Sequence, residues 1–346
     1  MVGDDEVRVL ITGAAGMIGR KLADRLATHA SLAGRNIASL HLIDIVDPDV
    51  PAASVVEVST DAVDLTDPGA APRVLASRPD VVFHLAAVVS GEAETDFDKG
   101  YSVNLDGTRW LLEAARTLGA SEVWCPRFVF TSSIGVFGGP YPPKIQDDFH
   151  LTPHTSYGTQ KVIGEVLVGD YTRRGFIDGV AIRLPTICVR PGTPNKAASG
   201  FFSSILREPL VGRPAVLPVG DDVRNWFASP RAAVDYLVQA ATIAGDGLGG
   251  RIALTMPGVS ASVADEVEAL RAVAGDAAVD LIRREPDPLT IELTAGWPNA
   301  FAADRALALG FRPDASIDAI VRAHIDDELG GELAAWPDVP INQEQR

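Results

Sequence analysis

Short apolar runs alternate with longer amphipathic stretches from the start of the chain. The runs "VRVLIT" (7–12), "IASLHLIDI" (37–45), "DVVFHLAA" (80–87) and "RFVFTSS" (127–133) are rich in β-branched and aromatic residues. Their nearly unbroken apolar character predicts strands covered on both faces. Strands that alternate with helices predict right-handed crossovers and a doubly wound parallel sheet. Later, "PRAAVDYLVQAATIA" (230–244), 264–274 and "FAADRALALGF" (301–311) read as helices, and "GRIALTMPG" (250–258) supplies another strand. Between them 190–222 is rich in proline and glycine and breaks the rhythm, as a lobe set over the sheet would. The tail "AAWPDVPINQEQR" is polar and proline-bearing, and its end is expected to be mobile. No internal repeat is present.

The first strand runs directly into "GAAGMIGRKLADRL". Gly13, Gly16 and Gly19 permit a tight turn, a close backbone approach to a pyrophosphate and close packing of the next helix on the strand. Met17 and Ile18 begin that helix, whose unpaired N–H groups and dipole favour an anion. A glycine triplet alone is weak, but this one has both flanking elements in place. Asp44 stands at the end of the second strand, where a carboxylate accepts hydrogen bonds from ribose hydroxyls and repels the extra phosphate of NADP. These features predict a Rossmann-type domain that binds NAD. Asp64 and Leu65 follow a third strand and are candidates to lie against the adenine ring.

Tyr157 and Lys161 are spaced to share one face of a helix. A cation within about 4 to 6 Å favours a phenolate and makes tyrosine a usable base near neutral pH. The same spacing occurs on ordinary amphipathic helices with a solvated lysine, so the pair needs support elsewhere. Ser132 and Ser133 supply some, because they end an apolar strand on the side where doubly wound sheets bind ligands.

The order and spacing of "TGAAGMIG", "HLAAVVS", "NLDGT", "TSSIGVFG" and "YGTQK" resemble the extended short-chain dehydrogenases of the NAD-dependent epimerase/dehydratase family. The resemblance spans almost the whole chain. It implies that Tyr157 is the catalytic base and that Ser133 hydrogen-bonds the reacting oxygen. Lys161 would lower the tyrosine's pKa and hold the nicotinamide ribose. It further implies that Leu85, Ala86, Ala87 and Val88, with Pro185, Thr186 and Ile187, line the cofactor cleft, and that Asn104 supports the catalytic helix. Phe137 replaces a tyrosine common in the family, a change that bears on packing. The helix "GTRWLLEAARTLG" (107–119) is apolar at helical spacing, which suits either a cover for the sheet or a dimer contact; with the Tyr157 helix it resembles the pair that forms the family's dimer interface. A homodimer is therefore expected.

On this basis residues 1–184 and about 223–250 form the NAD-binding domain, about 185–222 and 251–330 a smaller α/β substrate lobe, and 331–346 a tail. The lobe segments "RLPTICVRPGTPNKAASGFF" and "RNWFASP" resemble a branch of the family that oxidises the 2-hydroxyl of a four-carbon sugar acid to a 2-oxo acid. A small anionic sugar acid needs a cation and several donors in a partly closed pocket. Asn195, Lys196 and Arg224 are candidates to provide them, with Ser90 and Trp226 shaping the wall. Two other readings use parts of the same pattern. A nucleotide-sugar epimerase or dehydratase returns the hydride and keeps its NAD bound, and an NAD-sensing binding protein has no need of Ser133, Tyr157 and Lys161.

Charge and composition narrow the partners. Thirty basic against 46 acidic residues give a net charge of -16, which argues against nucleic acid as a ligand. No apolar run approaches the ~18 residues of a membrane span, and the N-terminus lacks a signal-peptide pattern, so a cytoplasmic enzyme is expected. Six scattered histidines and two cysteines, Cys125 and Cys188, show no metal-ligand spacing. No metal is expected, and both cysteines read as buried hydrophobes. Asp147 and Asp148 read as a solvated loop pair.

Overall fold

The seven main strands are β1 (Glu6–Thr12), β2 (Arg35–Asp44), β3 (Glu57–Ala62), β4 (Val81–His84), β5 (Arg127–Ser133), β6 (Asp178–Leu184) and β7 (Ala253–Thr255). A computed structural model describes residues 5–120, 124–192 and 199–333. The strands lie in the order β7-β6-β5-β4-β1-β2-β3 and are all parallel. A short strand, Ser31–Leu32, adds antiparallel to the start of β2. The order reverses at β1, whose neighbours β2 and β4 lead away in opposite directions. A ligand crevice opens at such a point, beyond the carboxyl ends of the strands.

The unbroken apolar strands are explained by cover on both faces. Val9, Ile11, Phe83, Val129 and Ile182 pack against α1 (Met17–His29) and a helix at Pro230–Thr242, which contributes Ala233, Tyr236 and Leu237. The alternate residues Leu10, Val82, Phe128, Phe130 and Ala181 pack on the other face, against α2 (Gly107–Gly119) and α3 (Ser156–Arg173). Leu111, Leu112 and Ala115 of α2 are spent on this core, so its apolar stripe covers the sheet.

A second buried cluster brings together helices Gly200–Leu210, Val263–Ala274 and Ile317–Glu328 through Phe202, Leu206, Leu270, Ile320 and Val321. Phe227, on the strand Arg224–Ala228, closes it from the sheet side.

Three expectations are corrected. Ala253–Thr255, assigned by sequence to the lobe, joins the main sheet, because Ala253, Leu254 and Thr255 pair with Ala181, Ile182 and Arg183. Cys125 is exposed while Cys188 is buried. Asp147 is not a solvated loop residue: its side chain is 6% exposed and stands 3.6 Å from Arg305, and its Oδ1 accepts from Thr255 N at 2.8 Å. The loop before α3 is thereby tied to β7. Among the described residues no helix is long and apolar enough to cross a membrane.

Candidate active site

The glycine loop leaves β1 and enters α1 without a side-chain cap or an acidic residue in the first turn, so its first N–H groups remain available to an anion. Gly13 has φ of 74°, and a Cβ there would stand 2.6 Å from the backbone nitrogen of Ala86. A Cβ at Gly19 would overlap the Gly13 carbonyl oxygen. Only glycine allows the loop to be this tight. Asp44 accepts from Ala15 N at 3.0 Å through Oδ2 and from Ile45 N at 2.7 Å through Oδ1. Each carboxylate oxygen keeps a lone pair for a ribose hydroxyl, so the cradle fits a dinucleotide.

On the neighbouring strand, Leu85 N donates to Thr12 O at 3.1 Å and Ala86 N to Thr12 Oγ1 at 3.2 Å. Ala87, Val88 and Ser90 follow. Asn104, buried in a π-helical turn, accepts from Val88 N at 2.8 Å and donates to Val88 O at 3.2 Å and to Gln160 Oε1 at 2.7 Å. One side chain thus ties the cleft wall to α3, beside Lys161. Asp64 is exposed and spends its Oδ1 on Thr66; Leu65 is buried against α2.

His84 lies beneath this wall with its ring fully engaged. Its Nδ1 meets Thr12 Oγ1 and its Nε2 meets Thr108 Oγ1, both at 2.8 Å. Thr108 Oγ1 donates to Asn104 O, so its contact with the ring makes Nε2 the protonated nitrogen and Nδ1 the acceptor. Burial, reinforced by the charge of Lys161, holds the imidazole neutral with a pKa of about 3.

Thr155 caps α3 by accepting from Gly158 N at 3.0 Å, and Tyr157 and Lys161 follow on the first turns. Ser133, at the end of β5, accepts from Gly135 N at 3.0 Å, and its hydroxyl acts on the Tyr157 phenol. Burial raises the phenol above its ordinary pKa, while the Ser133 bond and the charge of Arg190 pull it back. The Lys161 ammonium donates to Thr131 O at 2.8 Å and lies 4.9 Å from the Phe130 ring centre and 5.6 Å from that of Tyr157. Burial lowers its pKa to about 8, with Glu165 opposing.

A buried ion pair anchors this helix. Glu165 takes Arg183 Nε and Nη2 at 2.9 and 2.8 Å and Ser132 Oγ at 2.6 Å. Ser132 and Ser133 therefore divide their work, the first holding α3 and the second facing the phenol. Arg183 also lies 4.9 Å from the Phe137 ring centre. The Glu165 anchor was not foreseen; its signal was an acid on the apolar side of a helix.

Pro185, Thr186 and Ile187 lead from β6 into a two-residue strand, Thr186–Ile187, paired with Phe227–Ala228. Trp226 donates to Met256 O at 3.2 Å and packs with Phe301, Ile134, Val136 and Phe137 around the turn after Ser133. Arg224 is turned to the lobe edge, where it donates to Ser260 O at 3.0 Å and to Asp265 at 3.3 Å. Asn195 and Lys196 lie outside the described residues, as does the tail from 334. Arg190, which sequence reasoning did not single out, is the cation that acts on Tyr157.

The chain is 48% identical over 325 residues to a D-erythronate dehydrogenase of Cupriavidus necator, covering 93% of this chain and 98% of that one. It is 38% identical to a D-erythronate dehydrogenase of Haemophilus influenzae, covering 93% and 100%. A solved structure described as a nucleoside-diphosphate-sugar epimerase from Agrobacterium tumefaciens superposes with a TM-score of 0.92 at 54% identity, over 96% of this chain and 99% of that one. Residues 9–241 match the NAD dependent epimerase/dehydratase family. A glycine cradle at the sheet reversal, an acid closing β2 and a serine–tyrosine pair ending β5 and opening α3 agree with that match: the chain belongs to the NAD-dependent epimerase/dehydratase family, and its cofactor is NAD.

Proposed function

We propose that the chain is an NAD-dependent dehydrogenase that oxidises the 2-hydroxyl of a small sugar acid of the D-erythronate type to the 2-oxo acid. The observation that carries this reading is the 48% identity to the Cupriavidus D-erythronate dehydrogenase across 98% of its length. Bound NAD supplies the hydride acceptor. Tyr157, ionised, removes the proton from the substrate hydroxyl. Ser133 donates to the same oxygen as it becomes a carbonyl. Lys161 holds the nicotinamide ribose, and its charge favours the phenolate once the cleft is filled. Asp44 takes the adenosine ribose, the Gly13–Gly19 turn takes the pyrophosphate, and Leu85–Val88 with Pro185–Ile187 enclose the ring system. Trp226 and Ser90 shape the substrate wall. The enzyme is a homodimer through α2 and α3, a reading supported by Val166, a large apolar residue of α3 that is 64% exposed.

The name of the Agrobacterium structure, 54% identical, favours a second reading. A nucleotide-sugar epimerase would use the same residues but return the hydride to its substrate. The two part on product. Incubation with NAD and a panel of four-carbon sugar acids should release NADH in proportion to acid consumed, with UDP- and GDP-sugars inert. Conversion of a nucleotide sugar without net NADH, and no turnover of any acid, would establish the epimerase instead.

A further inference from the structure

Several glycines around the site are demanded by the fold. A Cβ at Gly13, Gly19, Gly158 or Gly164 would come within 2.2 to 2.6 Å of a neighbouring atom. Gly135, in the turn that follows Ser133, is different. Its backbone lies outside the left-handed region, and its N–H is held by Ser133 Oγ at 3.0 Å, so an ordinary L residue suits the conformation. A Cβ there would meet Ser133 Oγ at 3.4 Å and Tyr157 Cδ1 at 3.9 Å, both ordinary contacts. Outside its own turn, no other atom of the described residues would lie within 4 Å. Its neighbours Ile134 and Val136 are buried in the aromatic cluster with Phe137 and Phe301, whereas Gly135 is partly exposed. Neither backbone nor packing calls for glycine here, and the point left open is bounded by Ser133 and Tyr157.

The location of that point indicates what it holds. In the proposed reaction the substrate oxygen is shared by Ser133 and the phenol. The carbon bearing it then stands about 3.5 Å from Ser133 Oγ, one hydrogen bond and one C–O bond away. The absent Cβ is at a like distance from the same Oγ but lies beside the ring edge, with the phenol oxygen more than 4 Å off. It flanks the reacting carbon. No charged group comes within 4 Å of it among the described residues, so a neutral hydroxylated carbon suits the space better than a carboxylate, which needs a cation or several donors.

We infer that Gly135 is a specificity-determining residue: the space of its absent side chain takes the carbon chain of the sugar acid beyond the reacting carbon. This rests on the dehydrogenase reading above. The carbons concerned are C3 and C4 of a four-carbon acid. A side chain at this position would shorten the room for them while leaving the oxygen its two partners, so the position reads chain length.

The test compares D-erythronate with D-glycerate, one carbon shorter, in the wild type, Gly135→Ala and Gly135→Val. In Gly135→Ala the erythronate-to-glycerate ratio of kcat/KM should fall at least about tenfold, mainly through KM for erythronate, the scale of one methylene in a fitted pocket. Gly135→Val should deepen the loss. NAD affinity should be unchanged. The thermal midpoint of Gly135→Ala should hold or rise, because alanine is allowed there and narrows the unfolded ensemble. An unchanged ratio in Gly135→Ala would overturn the assignment and leave the dehydrogenase reading intact. So would a lowered thermal midpoint, which would assign the space to the fold, or weakened NAD binding, which would assign it to the cofactor. A wild type that neither oxidises nor binds four-carbon sugar acids would overturn both.

Discussion

Gly158 packs so closely on Gly135 that a Cβ on the helix residue would overlap the carbonyl oxygen of the turn residue. This contact sets the distance between Tyr157, one residue earlier on α3, and Ser133, two residues earlier on the turn. Farther along the helix a Cβ at Gly164 would stand 2.5 Å from Phe130 Cζ. Two glycines therefore let α3 lie down on β5, which brings Tyr157 to the turn that follows Ser133.

Gly158→Ala should destabilise the protein by about 1–3 kcal/mol, the usual cost of overpacking, although alanine favours an ordinary helix by about 1 kcal/mol. Turnover should fall with it, as the phenol is pushed from Ser133. Gly169→Ala on the same helix meets only Ile252 Cγ1, at 3.6 Å, and should be neutral or slightly stabilising. Urea unfolding of the two variants, with kcat measured alongside, separates local crowding from a general effect on α3.

Glu165→Ala should be among the most damaging single changes, at about 3–5 kcal/mol, because it leaves Arg183 charged and buried without its partner. Arg183 is only 5% exposed and Glu165 4%, so water cannot replace the lost bonds. Equilibrium unfolding measures the loss. A cost below about 1 kcal/mol would show that the pair does not anchor the helix.

The neutral His84 gives stability a pH dependence of known sign. Its pKa is lowered from 6.5 to about 3, first by burial and then by Lys161. Between those values the unfolded chain binds a proton that the folded chain refuses. Stability is then lost as pH falls below about 6.5, at up to about 1.4 kcal/mol per pH unit for this one group. His84→Gln cannot titrate, so its unfolding free energy should fall less steeply between pH 6.5 and 4 even if it is lower at pH 7. Parallel slopes for wild type and variant would remove His84 as the cause.

Asp44→Asn should relax cofactor choice, because the amide no longer repels a 2′-phosphate. The ratio of kcat/KM for NAD over NADP is expected to fall at least about tenfold. Since Asp44 also holds Ala15 N, NAD affinity itself should weaken. An unchanged ratio would mean that some other group excludes NADP.

Much of this was legible in the sequence because the residues concerned answer to local rules. Period and turn chemistry placed the strands, the glycine loop and Asp44, and "RFVFTSS" ends at Ser133, the final residue of β5. What escaped depends on long-range packing. Asp147 looked like a loop acid because its partners, Thr255 and Arg305, lie more than a hundred residues away in the chain. Ala253–Thr255 is too short to reveal which sheet it joins. Arg190 sits in a proline- and glycine-rich stretch without periodicity, so nothing local signals that its charge acts on Tyr157. The partner of Glu165 is likewise set by the neighbouring strand β6, beyond the reach of helical spacing.

Turnover by Tyr157→Phe tests the central claim most directly. With D-erythronate and saturating NAD, the variant should lose about 10²- to 10⁴-fold in kcat, the range for a positioned general base, while its NAD affinity stays within a few-fold of wild type. A folded variant that binds NAD and still forms NADH at the wild-type rate would contradict the account, because the proton would then leave by another route.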